Sequence, residues 1–256
     1  MFGLAFALCF LLLFSTGEQS PHPIEKVANE GRIVGGIPAD ISNYPYMVSY
    51  EYEGGHHCGA AIISEYYVLT AAHCASGSSL SQSKMRVGSS YIEEGGSLHQ
   101  AISIIIHPQY DSHSMDNDIA IIKVTEPFVF GTNVQRITLI TNSVPTGTPA
   151  TVTGWGRLSQ GGDFPKQLQQ VEVYTRDWNT CNSQYDGRLT SNMICAGSTA
   201  GGSDACQSDS GGPLAAYGTL IGVVSFGLGC GDKTHPGVYV DVVQLRSWIT
   251  QNTGVK

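Results

Sequence analysis

The chain has 256 residues, 41% of them hydrophobic and 13% charged, a balance that excludes a disordered chain and supplies one ordinary core or two small halves. Thirty-one glycines beside so few charges suit short strands joined by tight turns and speak against a helical bundle. The formal charge of −8 comes without basic clusters, so nucleic acid and anionic membranes are excluded as partners and cationic ligands are favoured.

In chain order, Phe2 to Phe14 form an apolar run too short for a comfortable membrane span, followed by the small residues Ser15, Thr16 and Gly17. Residues 1–17 therefore read as a removable signal peptide, which makes the mature protein secreted and extracellular, with no membrane attachment once the signal is gone. Residues 18–32 are polar, contain Pro21 and Pro23 and show no periodicity, as expected of a flexible leader. From residue 33 the character changes. Short β-rich runs follow at Tyr46–Tyr52, Ala60–Thr70, Ala101–Ile106, Ile119–Val124, Ala150–Thr153, Gln169–Thr175, Gly218–Phe226 and Gly237–Val242, separated by clusters of Gly, Ser, Asn and Pro. Such spacing without β-α alternation predicts an all-β barrel or sandwich. At the end, Val243, Leu245, Trp248 and Ile249 stand at helical spacing, so Val243–Asn252 is expected to form an amphipathic helix on the domain surface.

Cys9 lies inside the signal, which leaves Cys58, Cys74, Cys181, Cys195, Cys206 and Cys230 in the mature chain. An even number in an exported protein points to three disulfides, and spacing alone leaves about 15 pairings open. None of these cysteines sits in a zinc-like CxxC pair. Adjacent His56 and His57 have no evident third ligand and read as a solvated strand end, so no metal site is expected.

Nucleophilic catalysis needs a hydroxyl, a base for its proton, and a carboxylate to hold the base in one tautomer. Ser210 stands in Cys206-Gln207-Ser208-Asp209-Ser210-Gly211-Gly212-Pro213, where small residues let a substrate carbonyl approach backbone N–H groups. His73 stands at the end of an apolar run in Leu69-Thr70-Ala71-Ala72-His73-Cys74, and Asp118 immediately precedes the apolar Ile119-Ala120-Ile121-Ile122. Asp116 competes for the carboxylate role, but only Asp118 directly adjoins that run. The order His, Asp, Ser differs from that of an α/β-hydrolase, and only His235 follows Ser210.

These segments, together with Ile33-Val34-Gly35-Gly36, Cys58-Gly59, Gly154-Trp155-Gly156 and Pro236-Gly237-Val238-Tyr239, resemble those of the chymotrypsin-like, or S1, serine peptidases from residue 33 to the C-terminal helix. The resemblance implies two perpendicular six-stranded antiparallel β-barrels with a C-terminal α-helix, His73 and Asp118 coming from the first barrel and Ser210 from the second. It also implies the disulfides Cys58–Cys74, Cys181–Cys195 and Cys206–Cys230, and an oxyanion hole made by the Ser208 and Ser210 amides. Activation would follow cleavage between Arg32 and Ile33, the new Ile33 ammonium pairing with Asp209, so that residues 18–32 are a propeptide and 33–256 the peptidase domain.

Asp204 matches the floor of the specificity pocket in trypsin-like members, with Gly227 and Gly237 at its walls, which implies cleavage after Arg or Lys. Ser225 matches the strand residue that lines the substrate backbone and supports Asp118. Ala205 replaces a common serine, and with that hydroxyl gone a bidentate guanidinium is favoured over an ammonium. Phe226 replaces a usual tryptophan.

Ser208 replaces a usual glycine at the oxyanion hole, which leaves the alternative of a catalytically weak serine-protease homologue acting by protein binding. Vertebrate trypsins hold calcium in a loop that corresponds to Gly88–Gln100. Here Ser89 and Ser97 stand near the ligand positions with only Glu93 and Glu94 acidic, so no calcium requirement is expected. No cofactor is implied. The expected partners are protein and peptide substrates and protein protease inhibitors, bound by a monomer.

Overall fold

The structure, a computed structural model, describes residues 36–157, 163–198, 209–228 and 234–256. Strand β1 (Ile37–Pro38) is followed by β2 (Met47–Tyr52), β3 (Gly55–Ile62), β4 (Tyr67–Thr70), the one-turn helix α1 (Ala72–Ala75), β5 (Ser83–Val87), β6 (Ser97–Ile106) and β7 (Ala120–Val124). Strands β2 to β7 close an antiparallel barrel in the order β2-β3-β4-β7-β6-β5. The second half contains β8 (Thr138–Leu139), β9 (Pro149–Gly154), β10 (Gln169–Thr175), α2 (Trp178–Gln184), β11 (Met193–Gly197), β12 (Pro213–Ala216), β13 (Thr219–Phe226), β14 (Gly237–Asp241) and α3 (Val242–Thr253). Its six strands β9 to β14 also close on themselves, because β10 pairs with β9 as well as with β11, while β1 joins β10 and β8 joins β13 from outside the ring. The fold is thus all-β, two six-stranded barrels with a C-terminal helix, as expected.

Side-chain alternation explains why the central strands are apolar on both faces. On β7, Ala120, Ile122 and Val124 enter the core of the first barrel, while Ile119 and Ile121 point the other way. There they meet Ile137, Leu139, Leu220, Val223 and Val240 of the second half, and Leu245 and Ile249 of α3. Strand β3 divides in the same way, with Cys58, Ala60 and Ile62 inside the first barrel and Ala61 and Ile63 at the seam. A strand buried on both sides reads as a continuous apolar run, the form Ile119–Val124 takes in the sequence. Burying each of these isoleucines contributes roughly 1.5–3 kcal/mol.

Several elements differ from expectation. The run Ala60–Thr70 is two strands, because Ile63-Ser64-Glu65-Tyr66 turns between β3 and β4. Strand β6 starts at Ser97, ahead of its apolar part, because Leu98 and Gln100 are held by pairing with Arg86 and Lys84 of β5. Strand β5 itself carries only Met85 and Val87 inward and shows a weak apolar signal. Helix α2 was not expected. It runs for seven residues, too short for a repeating stripe, and depends on its Asp177 cap, which accepts from the Thr180 N–H at 2.8 Å. Helix α3 covers Val242–Thr253, two residues longer than read, with the Asp241 carboxylate accepting from the Val243 N–H at 2.9 Å.

Cys58–Cys74 and Cys181–Cys195 are bonded as the resemblance implies, with Cα separations of 6.2 and 6.5 Å. The first ties β3 to α1 and the second ties α2 to β11. Cys206 and Cys230, like the signal and leader readings for residues 1–32, fall outside the described residues.

Candidate active site

His73 sits within α1, the single helical turn that follows β4, not at the strand end itself. The helix axis and the Cys58–Cys74 bond fix its backbone, and its side chain stays 27% exposed. Asp118 stands just before β7 and is fully buried. Its Oδ1 accepts from the His73 backbone N–H at 2.8 Å and its Oδ2 lies 2.7 Å from His73 Nδ1. A carboxylate only accepts, so Nδ1 carries the proton and the Nε2 lone pair is left to take another. Ser225, on β13 and 4% exposed, donates from Oγ to Asp118 Oδ2 at 2.6 Å. Three donors therefore converge on one buried carboxylate, which satisfies the charge and locks the imidazole in plane.

Ser210 arrives from the second barrel on the turn before β12. Its carbonyl accepts from the Gly59 N–H on β3 at 2.8 Å and lies 3.6 Å from Cys74 Sγ, the same sulfur that is 3.6 Å from His73 Nε2. The Ser210 main chain and the His73 ring thus meet over one disulfide. No hydrogen bond links Ser210 Oγ to His73 Nε2. The turn holds Gly211 at φ +80°, where a β-carbon would collide with Thr70 Oγ1 and the Gly59 carbonyl. Only glycine lets the second barrel's turn press this closely on the first barrel's strands.

Asp209, beside Ser210, is also fully buried. Its Oδ1 accepts from the Gly156 N–H at 2.9 Å, and β-carbons at Gly154 or Gly156 would strike the carboxylate. Trp155, between those glycines, packs with Ala39, Ile41, Met47 and Leu168, so the first described residues lie against the wall of the Asp209 cradle. Strand pairing matches Phe226 with Val238, which sets Gly227 and Gly237 next to each other where β13 and β14 begin to part. Phe226 meets Tyr185 edge to face at 5.9 Å. Arg32, Ile33, Asp204, Ala205 and Ser208 lie outside the described residues.

The histidine pair stands at the start of β3, with His57 exposed and His56 partly buried. His56 Nδ1 is 2.7 Å from Ser49 Oγ and its ring packs edge-on to Trp155 at 5.9 Å, while His57, though exposed, places Nε2 3.1 Å from the Cys74 carbonyl. Cys58, His73 and Cys74 lie close enough to hold a metal, but both sulfurs are spent in their disulfide. In the loop 88–96, Ser89 Oγ donates to the Glu94 carbonyl and accepts from the Tyr91 N–H at 2.9 Å, and Glu93 accepts from the His56 N–H at 2.9 Å. Asp116, the rejected competitor of Asp118, turns away from His73 toward Thr190 and Asn192. No sequence signal had marked those two residues. Among the described residues no helix is long and apolar enough to cross a membrane.

The trypsin family model matches residues 33–249. Over 227 residues the chain is 44% identical to Trypsin delta of Drosophila melanogaster, covering 87% of this chain and 89% of that protein. It is 42% identical over 224 residues to Trypsin alpha of the same organism, covering 86% and 87%. Over 249 residues it is 40% identical to the Vitellin-degrading protease of Bombyx mori, covering 96% and 93%. With these relatives and two closed barrels meeting at His73, Asp118 and Ser210, the chain belongs to the trypsin family of chymotrypsin-like S1 serine peptidases and is a serine endopeptidase acting on proteins or peptides.

Proposed function

We propose that this endopeptidase is secreted as a zymogen, with residues 1–17 as signal, 18–32 as propeptide and 33–256 as the peptidase domain, and that after cleavage at Arg32 it hydrolyses bonds following Arg or Lys. The observation that carries the catalytic part is the buried Asp118 carboxylate, which holds His73 Nδ1 at 2.7 Å while Ser225 braces it from the other barrel. Ser210 Oγ attacks the substrate carbonyl carbon as its proton passes to His73 Nε2, and Asp118 stabilises the imidazolium that forms. His73 then gives the proton to the leaving amine, an acyl-enzyme remains on Ser210, and water repeats the sequence. The Ser208 and Ser210 amides take the oxyanion, a contribution worth on the order of 10²-fold to 10³-fold per donor.

Asp204 supplies the negative charge that selects a cationic side chain, with room left by Gly227 and Gly237, and Ala205 shifts the balance toward Arg. Activation joins the Ile33 ammonium to Asp209. The contact of Ala39 and Ile41 with Trp155 supports this reading, since it anchors the chain a few residues after Ile33 beside the cradle of that carboxylate. The missing Ser210–His73 hydrogen bond is made when the substrate or the new N-terminus settles the 209–212 turn.

The test uses purified full-length precursor, cut after Arg32 by an added protease that is then removed. Processed protein should turn over an arginyl anilide and accept a serine-directed phosphonate on Ser210, while the uncut precursor should do neither to a comparable degree. Equal rates before and after cleavage would rule out the zymogen reading, and absence of both signals would rule out the catalytic assignment.

A further inference from the structure

The segment that presents Asp118 is an improbable piece of backbone. Met115 and Asn117 both adopt left-handed conformations, at φ 59° and 53°, and the Ile119 N–H reaches back to the Asn117 carbonyl at 2.7 Å, so Asp118 is the middle of a three-residue turn. Asparagine tolerates the left-handed region, but at Met115 it costs energy and persists only where surrounding contacts over-determine it. Within the first barrel the Asp111 N–H reaches the Asp116 carbonyl at 3.1 Å, and further contacts come from the other barrel. Asp116 Oδ1 accepts from Thr190 Oγ1 at 2.6 Å and from Asn192 Nδ2 at 3.0 Å, and the same Nδ2 donates to Asn117 Oδ1 at 3.2 Å. Asn117 Nδ2 returns to Asp116 Oδ2 at 3.0 Å and to the Gln109 carbonyl at 3.2 Å.

Asn192 is itself held rigidly. Its carbonyl accepts from the Asp241 N–H at 2.8 Å, and the next residue, Met193, pairs with Val240 on β14, the strand that pairs with the Ser225 strand β13. The Asp118 carboxylate is thus tied to the second barrel twice, directly by Ser225 and through its two preceding residues by Thr190 and Asn192.

We infer that Thr190, Asn192 and Asp116 form a clasp between the barrels that positions Asp118, and through it the height and tilt of His73 over Ser210. The clasp touches neither substrate nor reacting atoms, so its members are positioning residues. The inference rests on the catalytic roles given to Asp118 and His73 above.

Asn192→Leu keeps the side-chain size and removes both donors. In protein processed at Arg32, kcat on an arginyl anilide should fall about 10-fold to 100-fold with KM nearly unchanged, since misplacement near 1 Å costs that much. The acid limb of the kcat/KM profile should move to lower pH, because a displaced Asp118 stabilises the His73 imidazolium less. Asp116→Asn keeps the Oδ1 acceptor for Thr190 and Asn192 but sets its amide nitrogen against Asn117 Nδ2, so its loss should be smaller than that of Asn192→Leu and larger than that of the control below. Asp116→Leu should resemble Asn192→Leu.

Val173→Ala, in the second barrel's core and away from the clasp, controls for simple loss of stability. It should lower the melting temperature while leaving the acid limb in place. An Asn192→Leu variant with parental kcat, or one whose loss Val173→Ala reproduces without a shift of the acid limb, overturns the clasp alone. Inactive processed parent protein overturns both the clasp and the catalytic reading.

Discussion

The two sides of the cleft are built to different standards. On one side the His73–Asp118 pair is fully made: Asp118 is sealed from solvent, three donors converge on it, one of them Ser225 of the second barrel, and a disulfide pins the helix that carries His73. On the second-barrel side, Ser210 is fixed through its carbonyl to Gly59 while its hydroxyl makes no hydrogen bond among the described residues, and its neighbour Asp209 is buried against a glycine cradle. The contrast teaches where control can act. The His73–Asp118 pair is held by both barrels, through the α1 disulfide on one side and Ser225 on the other, whereas Ser210 sits on a glycine turn that whatever engages Asp209 can move.

The comparison breaks most clearly with Ser210→Ala, which should lower kcat/KM of the processed protein by about 10⁴-fold or more while leaving the His73–Asp118 pair intact. Retained His73 geometry can be followed by the downfield Nδ1 proton in NMR, and loss of that signal would mean the two sides are not independent. Ile121→Ala opens a cavity at the seam between the barrels and should cost about 2–5 kcal/mol of unfolding free energy in a denaturant titration. If the two halves were separately stable, the transition would split into two instead of shifting as one.

A smaller effect is expected from Ser225→Ala, which removes the second barrel's direct hydrogen bond to Asp118. Kinetics should show about a 10-fold loss in kcat, the scale of one bond to a charged acceptor. The smallest concerns His107. Its ring packs 4.8 Å from Trp248 of α3, its Nδ1 accepts from the Gln109 N–H at 3.2 Å, and burial, opposed by the Asp116 charge, holds its pKa below the ordinary 6.5. A histidine depressed in the fold contributes stability that is present above its unfolded pKa and lost as pH falls. The melting temperature should therefore decline from about pH 7 to pH 5, and His107→Gln should flatten that slope.

How much of this could be read in advance depended on the kind of signal. Residues buried on two faces, such as Ile119–Val124, announce their strand, while their place at the seam emerges only from the packing. His73, Asp118 and Ser210 lie in short segments whose composition suits them to nucleophilic catalysis and which together resemble one family. Strands β5 and β12 and helix α2 were illegible because each is too short, or too sparsely apolar, to show a period, and is held by its partners instead. The clasp was invisible for a different reason. Thr190 and Asn192 are ordinary polar residues in a turn, and only their meeting with Asp116 across more than seventy positions gives them meaning. Asp116 and Asp118 were separable by adjacency to the apolar run, but the work done by Asp116 was not.

The most direct test measures kcat/KM of protein cleaved after Arg32 on three anilides that differ only in arginine, lysine or leucine before the scissile bond, with Ser210→Ala alongside. The account predicts turnover that requires Ser210, is highest for arginine, lower for lysine, and lower by orders of magnitude for leucine. Equal rates on leucine and arginine, or hydrolysis that survives in Ser210→Ala, would contradict it.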